Sequence, residues 1–381
     1  MRRCAGSTDV GTAVLLEGLR LIDHHCHGVV RHELDRPGFE ALLSEAGAPP
    51  DGVTHFDTPL GLAVRRHCAP LLDLDPHPTP EQYLERRSVL GVEEVTRRML
   101  RAAGAQALLV DTGYRGDELL SPGQLGAAAG AAGREIVRLE SVAEDLAGRG
   151  VDASQFLGRY AETLAAADAV AVKSIAAYRV GLDFNPRPPA RAAVQAAVSA
   201  WMRRGAPYRL DDPTLVRALL WTAVELGRPI QFHVGYGDAD IRLHRTNPSL
   251  LTDFLRAVPR RVPVLLLHCW PYQREASYLA AVLPHVYLDV GLALNYVGPS
   301  RAVAVLAEAL EVTPFGKMLY SSDAFGLPEL YHLGALGFRR ALAELLDARI
   351  TAGEWSATDA RRLARMIGVE NAARVYRLPT S

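Results

Sequence analysis

The sequence predicts an α/β fold, a (β/α)8 TIM barrel with helical insertions after strands 1 and 4. Short apolar runs recur along the chain and alternate with amphipathic, helix-like segments. Several of these runs end in a polar or chemically active residue, and a barrel gathers its active site from the C-terminal ends of its strands. A doubly wound open sheet is the competing arrangement.

The first run is "LRLID" (19–23), which leads into "HHCHG". Next come "ALLVDTG" (107–113), "EIVRLES" (135–141), "AVAVKS" (169–174), "PIQFHVG" (229–235), "PVLLLHC" (263–269), "VYLDVG" (286–291) and "MLYSSD" (318–323). Each has the length and apolar density of a buried strand. Helical periodicity fills "GVEEVTRRMLRAAGA" (91–105), "PTLVRALLWTAVELGR" (213–228), "SLLTDFLRAV" (249–258) and "SRAVAVLAEALEV" (300–312), and closing helices are expected over 361–378. Two stretches interrupt the alternation. Residues 30–90 are helix-leaning and punctuated by "APPDG" and "DPHPTP", and residues 183–212 form a second insertion; both are expected over the barrel mouth. Residues 1–381 therefore read as a single barrel domain.

The bulk composition sets outer bounds. The 381 residues are 49% apolar, enough for a sizeable core. Lys plus Arg number 42 and Asp plus Glu 43, so no basic or acidic excess points to nucleic acid or to a membrane surface. A small-molecule substrate is expected. The four cysteines, Cys4, Cys26, Cys68 and Cys269, are scattered and read as reduced thiols of a cytoplasmic protein. Near the N-terminus the apolar stretch is broken by Asp9, Gly11, Glu17 and Gly18, unlike a secretory signal. No window approaches the ~18 unbroken apolar residues of a membrane span.

The chemistry lies at the strand ends. In a regular strand residues i and i+2 share a face, so His25 and His27 point together while His24 and Cys26 point the other way. Such a pair alone is also compatible with packed or solvated histidines. Lys173, His233, His268 and Asp323 close four further predicted strands and deliver donors to the same barrel face. Imidazole and carboxylate suit a divalent ion, zinc first, with manganese or iron as alternatives. Such an ion polarises a carbonyl and lowers the pKa of a bound water. Asp323 is placed to take that water's proton and deliver it to a leaving nitrogen, or to serve simply as a ligand. Lys173 has two readings: a carboxylated lysine bridging two ions, or an ammonium paired with a substrate carboxylate.

The set Asp23, His25, His27, Lys173, His233, His268 and Asp323 resembles the metal motif of the amidohydrolase superfamily. The segments "FHVGYGDADIRLHRTNPSLL" (232–251), "LLLHCWPYQREASYLAAVLPHVYLDV" (265–290) and "MLYSSDAFGLPELYHLGA" (318–335) are similar to amidohydrolase modules found alone or fused to glutamine-synthetase-like domains. The resemblance spans roughly 19–345 and implies a barrel, metal-dependent hydrolysis of a C–N bond, one or two ions, and commonly a homo-oligomer. There are two departures. No glutamine-synthetase-like half is expected beside the barrel, and 60 positions separate Lys173 from His233, more than in carbamate-bridged members. His268 is accordingly either a ligand of a second ion or a base beside a single one.

Substrate-facing positions follow the strand ends. Arg179 offers a forked donor for a carboxylate, with Tyr178 beside it, and Trp270 and Arg274 follow the sixth strand. Asp23 and Asp240 are expected behind the ligands, orienting histidines through their second nitrogen. Asp238 and Asp240 equally suit a glycine-rich turn. His55, His67 and His77 in the insertion read as surface or core residues, and Glu329 and His332 as residues near a helix start. The leading reading is hydrolysis of an amide-like bond in a carboxylate-bearing substrate. The same site could instead run a nonoxidative decarboxylation, and a noncatalytic metal-binding barrel is the third class.

Overall fold

Seven parallel strands run in the order β1-β2-β3-β4-β5-β6-β7, each hydrogen-bonded to its neighbour in sequence, in a computed structural model that describes residue 16 and residues 18–379. They are β1 (Leu21–Cys26), β2 (Ala105–Asp111), β3 (Ala132–Arg138), β4 (Ala169–Ser174), β5 (Ile230–His233), β6 (Val264–Leu267) and β7 (Val286–Leu288). A doubly wound sheet reverses its strand order part-way, and this sheet does not. The expectations for Cys4 and for the N-terminal segment fall outside the described residues.

The eighth run, 318–323, is not a regular strand, yet it links β7 to β1. Leu319 donates to the Leu288 carbonyl (3.0 Å), His24 donates to Tyr320 (3.1 Å), Asp323 donates to His25 (3.0 Å), and His27 donates to Ala324 (2.8 Å). The irregularity has a local cause. Asp323 has a positive φ of 51°, and Ser322 bonds the Asp23 side chain rather than a ladder partner.

Helices follow the strands. After β1 come α1 (Arg36–Ala41), α2 (Pro59–Ala63), α3 (Pro80–Leu90) and α4 (Val92–Ala103). After β2 comes α5 (Pro122–Ala129); after β3, α6 (Leu139–Gly148) and α7 (Phe156–Ala166). α8 (Ala176–Arg179), α9 (Arg191–Met202) and α10 (Pro213–Leu226) separate β4 from β5, and α11 (Thr252–Ala257) precedes β6. α12 (Gln273–Val282) precedes β7, followed by α13 (Ala293–Tyr296) and α14 (Pro299–Ala309). The chain finishes with α15 (Pro328–Thr351), α16 (Ala357–Arg365) and α17 (Asn371–Tyr376).

Local chemistry explains these boundaries. Thr79 and Ser121 each accept from the backbone three residues on, and Gln82 and Gln124 return the bond, so α3 and α5 both begin with a capping box and a proline. α4 stops at Gly104, whose left-handed φ of 66° costs a glycine little. Its buried Val95, Met99 and Ala103 recur at four-residue spacing, which presses one stripe onto the barrel.

The core has two layers. Leu21, Leu108, Val110, Val172, Ile230, Phe232 and Val264 face outward under the helices. Ile22, Ala107, Leu109, Ile136, Ala171, Leu265, Leu267 and Leu319 fill the barrel interior. Ala372, Ala373, Val375 and Tyr376 of α17 belong to the same inner cluster, so the last helix plugs the floor. With the floor sealed, the mouth is where polar chemistry collects. No helix among the described residues is long and apolar enough to cross a membrane.

Candidate active site

β1 shapes the site by breaking its own alternation. Its pairing with β2 slips between Asp23 and Cys26, leaving an extra residue on the β1 side. His24 and His25 therefore both reach strands across the barrel. His24 Nε2 lies 2.9 Å from Asp289 Oδ2 just past β7, and His25 Nδ1 lies 2.8 Å from Gln231 Oε1 on β5. This corrects the expectation that His24 shares the outward face of Cys26. Cys26 does point away, its thiol donating to the Leu109 carbonyl. A strict period of two fails wherever a bulge is inserted.

His25, His27 and Asp323 offer one donor atom each within 4.8 Å of one another. His25 Nε2 is 3.1 Å and His27 Nε2 3.5 Å from Asp323 Oδ1. Both rings turn Nε2 to the centre because Nδ1 is engaged behind: His25 with Gln231, His27 with the Asp111 carbonyl at 3.2 Å. Asp323 is fixed from its neighbour. The Ser322 amide and hydroxyl donate to Asp23 at 2.9 and 2.5 Å, so Asp23 braces the backbone that carries Asp323.

Lys173, His233 and His268 stand beside this trio. Lys173 Nζ is 3.3 Å from His25 Nε2, and His268 Nε2 is 3.5 Å from Asp323 Oδ2. The His233 and His268 rings lie 4.7 Å apart. His268 has a φ of 68° and is held by its own amide, which donates to Asp289 at 2.9 Å. His233 Nε2, both nitrogens of His268 and Asp323 Oδ1 are buried without a hydrogen-bond partner. Buried polar atoms normally find partners, so these unpartnered imidazole nitrogens and the carboxylate oxygen, beside the converging His25, His27 and Asp323 donors, fit a divalent cation.

The electrostatics agree with that fit. Burial pushes His25 down to about 3, helped by the Lys173 charge, and burial takes His268 to about 4 and His233 well below its ordinary value. Neutral imidazoles are the ligating form. Burial works against ionised Asp323, but His268, His25 and His27 outweigh it and hold the carboxyl well below its usual range. Burial also lowers Lys173 to about 8.

A cavity of about 400 Å³ opens above these groups. Tyr178 and Arg179 line it. The Tyr178 ring lies 4.6 Å from His233, and Arg179 pairs with Glu144 at 3.0 Å while its Nε stays buried and unpartnered. Leu42 and Glu45 after β1, and Arg209 after α9, reach the same space from the two stretches expected over the mouth.

Three expected positions lie elsewhere. Arg274 is on the first turn of α12, 62% exposed, and pairs with Glu311 at 2.9 Å, because its helix turns it outward towards the end of α14. Trp270 does not line the cavity; it packs edge-on against Tyr236 at 5.7 Å. Asp240 is 60% exposed at the rim, pairs with Arg209 at 3.2 Å, and donates its amide to Asp238 in a tight turn. It makes no hydrogen bond to His233.

Six residues escaped the sequence reading. Gln231 stands two positions before His233, on the inward face that periodicity assigns, but a glutamine inside a strand draws no attention. Asp289 follows β7 directly within the run "VYLDVG", a visible strand-end acid. Asp111 and Arg138 end β2 and β3 and form a buried pair at 2.6 Å. Glu45 and Asn295 at the cavity wall sit on connections that carry no periodic signal.

Comparison with known proteins bears on the whole chain. The family model described as amidohydrolase matches residues 125–378. Protein fluG of Emericella nidulans is 28% identical over 410 aligned positions, which cover 96% of this chain and 46% of that protein, so the chain spans about half the length of this curated relative. A crystal structure provisionally named a metal-dependent hydrolase, from Lactobacillus casei, superposes with a TM-score of 0.84 at 29% identity and covers 96% of this chain and 97% of its own. A uronate isomerase from Bacillus halodurans, 15% identical, shares the fold with a TM-score of 0.66, covering 97% of this chain and 96% of its own.

Proposed function

The chain belongs to the amidohydrolase family and is an enzyme of the metal-dependent hydrolase type; within that class we propose that it cleaves a C–N, amide-like bond of a small carboxylate-bearing substrate. The observation that carries the reading is the convergence of His25, His27 and Asp323 donors within 4.8 Å beneath the cavity. His25, His27 and Asp323 would hold a divalent ion there, zinc for preference, which would supply Lewis acidity.

The side chains do the rest. His25 and His27 present Nε2 because Gln231 and the Asp111 carbonyl hold their other nitrogens. Asp323, ionised at neutral pH, accepts the proton of the attacking water and passes it to the leaving nitrogen, which departs only when protonated. Beside a single ion, His268, neutral and buried with both nitrogens free, would instead be the group to hydrogen-bond the carbonyl oxygen. Arg179 turns an unpartnered Nε inward, and with Tyr178 it forms the carboxylate end of the pocket.

Lys173, His233 and His268 make up the second half of the donor set. A lysine lowered to about 8 by burial carries a substantial neutral fraction, the form that reacts with carbon dioxide. We propose that Lys173, in carboxylated form, would help to hold a two-ion site, within a single barrel that assembles as a homo-oligomer. Metal analysis of the purified chain, mass measurement of Lys173, and assay against γ-glutamyl amides and other N-acyl amino acids test the reading. Two ions per chain, a modified lysine and release of free amine are expected. Release of carbon dioxide instead of amine selects the decarboxylase. A chain that binds no divalent ion, with activity indifferent to Asp323→Asn, overturns the proposal.

A further inference from the structure

Tyr376, the last residue of α17, projects into the barrel from the floor. Its hydroxyl lies 2.7 Å from Gln231 Nε2 and 2.9 Å from His24 Nδ1. All three side chains are buried. From this point two chains of hydrogen bonds climb to the site, one through Gln231 to His25 and the other through His24 and Asp289 to the His268 amide.

With one proton on each ring, the donors and acceptors admit one arrangement. Gln231 also lies 2.8 Å from the His24 carbonyl, an acceptor only, so that end of the amide must be the nitrogen. Its two hydrogens go to the His24 carbonyl and to the Tyr376 oxygen. Gln231 Oε1 is then left to accept, and His25 must carry its proton on Nδ1, which frees Nε2. The Asp289 carboxylate facing His24 Nε2 only accepts, so Nδ1 is the bare nitrogen and accepts the single Tyr376 proton. His24 therefore bears its proton on Nε2 and donates to Asp289 Oδ2, whose other oxygen accepts from the His268 and Gly291 amides.

We infer that Tyr376 is a positioning residue for metal binding: one hydroxyl on the C-terminal helix buttresses Gln231 and His24, the side chains that stand behind His25 and, through Asp289, behind His268. The inference rests on the reading of His25 as a ligand. Without the hydroxyl, Gln231 loses an acceptor and His24 a donor, and each ring is held by one side only, His25 through Gln231 and His24 through Asp289. Groups behind metal ligands typically govern ten- to a hundredfold in affinity.

The test measures Zn2+ and Co2+ binding by the full chain against a chromogenic chelator, in wild type, Tyr376→Phe and the packing control Val375→Ala. Tyr376→Phe is expected to weaken binding about tenfold and to alter the Co2+ absorption spectrum. Val375→Ala removes packing in the same inner cluster and is expected to lower the melting temperature with affinity and spectrum unchanged. Equal affinity and spectrum for Tyr376→Phe and wild type overturn the inference while leaving the metal site standing. A wild type that takes up neither ion overturns the metal reading itself. If Tyr376→Phe does not fold, the ring tautomers of the wild type decide by 15N NMR: His24 protonated on Nε2 and His25 on Nδ1 are expected, and the opposite tautomer on either ring refutes the relay.

Discussion

Gln231 Oε1 lies 2.8 Å from His25 Nδ1, joining a side chain of β5 to one of β1 across the barrel interior. The bond holds the His25 ring with Nε2 towards Asp323. Replacing Gln231 with methionine keeps the volume and removes both the acceptor and the amide donors. Zinc affinity is expected to fall ten- to a hundredfold with the far-ultraviolet circular dichroism unchanged, measured by chelator competition.

Asp323 is buried, ionised and central to the donor set. Asp323→Asn keeps the shape and removes the base. With a substrate in hand, kcat is expected to fall by about two to four orders of magnitude, the usual range for a lost general base, with KM changing far less. Steady-state kinetics at matched metal occupancy check this.

Asp23 gives the metal-free protein a pH dependence of unusual sign. Burial raises its pKa from 3.8 to about 7, against the Ser322 hydrogen bonds that favour the ionised form. The folded state therefore disfavours a charge that the unfolded chain carries freely. Below about pH 4 this costs nothing; the cost grows as pH rises and is complete above about 7, on the order of 4 kcal/mol. Asp23→Asn can still accept from the Ser322 amide, so it is expected to stabilise the chelator-treated protein at pH 8 and not at pH 4. Urea midpoints of wild type and variant across that range provide the measurement.

Gly235 turns the chain just after β5. Its φ is 75°, and a Cβ there would stand 2.2 Å from the Trp270 carbonyl oxygen, a backbone atom of the neighbouring connection. Gly235→Ala is expected to cost about 3 kcal/mol in chemical denaturation, from strain and from separating the loops that carry His233 and His268.

Arg274 and Arg179 separate surface charge from site charge. Arg274→Ala breaks exposed pairs with Glu311 and Glu308 and is expected to change stability by no more than about 0.5 kcal/mol, leaving kcat/KM intact. Arg179→Ala empties the carboxylate end of the cavity and is expected to raise KM about tenfold or more. Parallel denaturation and kinetic measurements distinguish the two.

Seven of the eight runs read as strands are strands, and the eighth shows why periodicity has a limit. "MLYSSD" holds its place by bonds to both β7 and β1, but Ser322 answers to Asp23 and Asp323 takes a positive φ, choices made by partners about 300 positions away in the chain. His24 teaches the same about side chains. Alternation sends it outward, and a one-residue slip against β2 turns it inward.

The amino-acid order by itself determined the alternation of apolar runs and amphipathic helices, and with it the barrel and the delivery of His25, Lys173, His233, His268 and Asp323 to strand ends. These are local matters of spacing, legible because burial acts on every second or every third to fourth residue. Tertiary structure alone decided which groups stand behind the donors. Gln231, Asp289 and Tyr376 meet the histidines across a closed barrel, and hydrogen bonds between residues far apart in sequence leave no period to read.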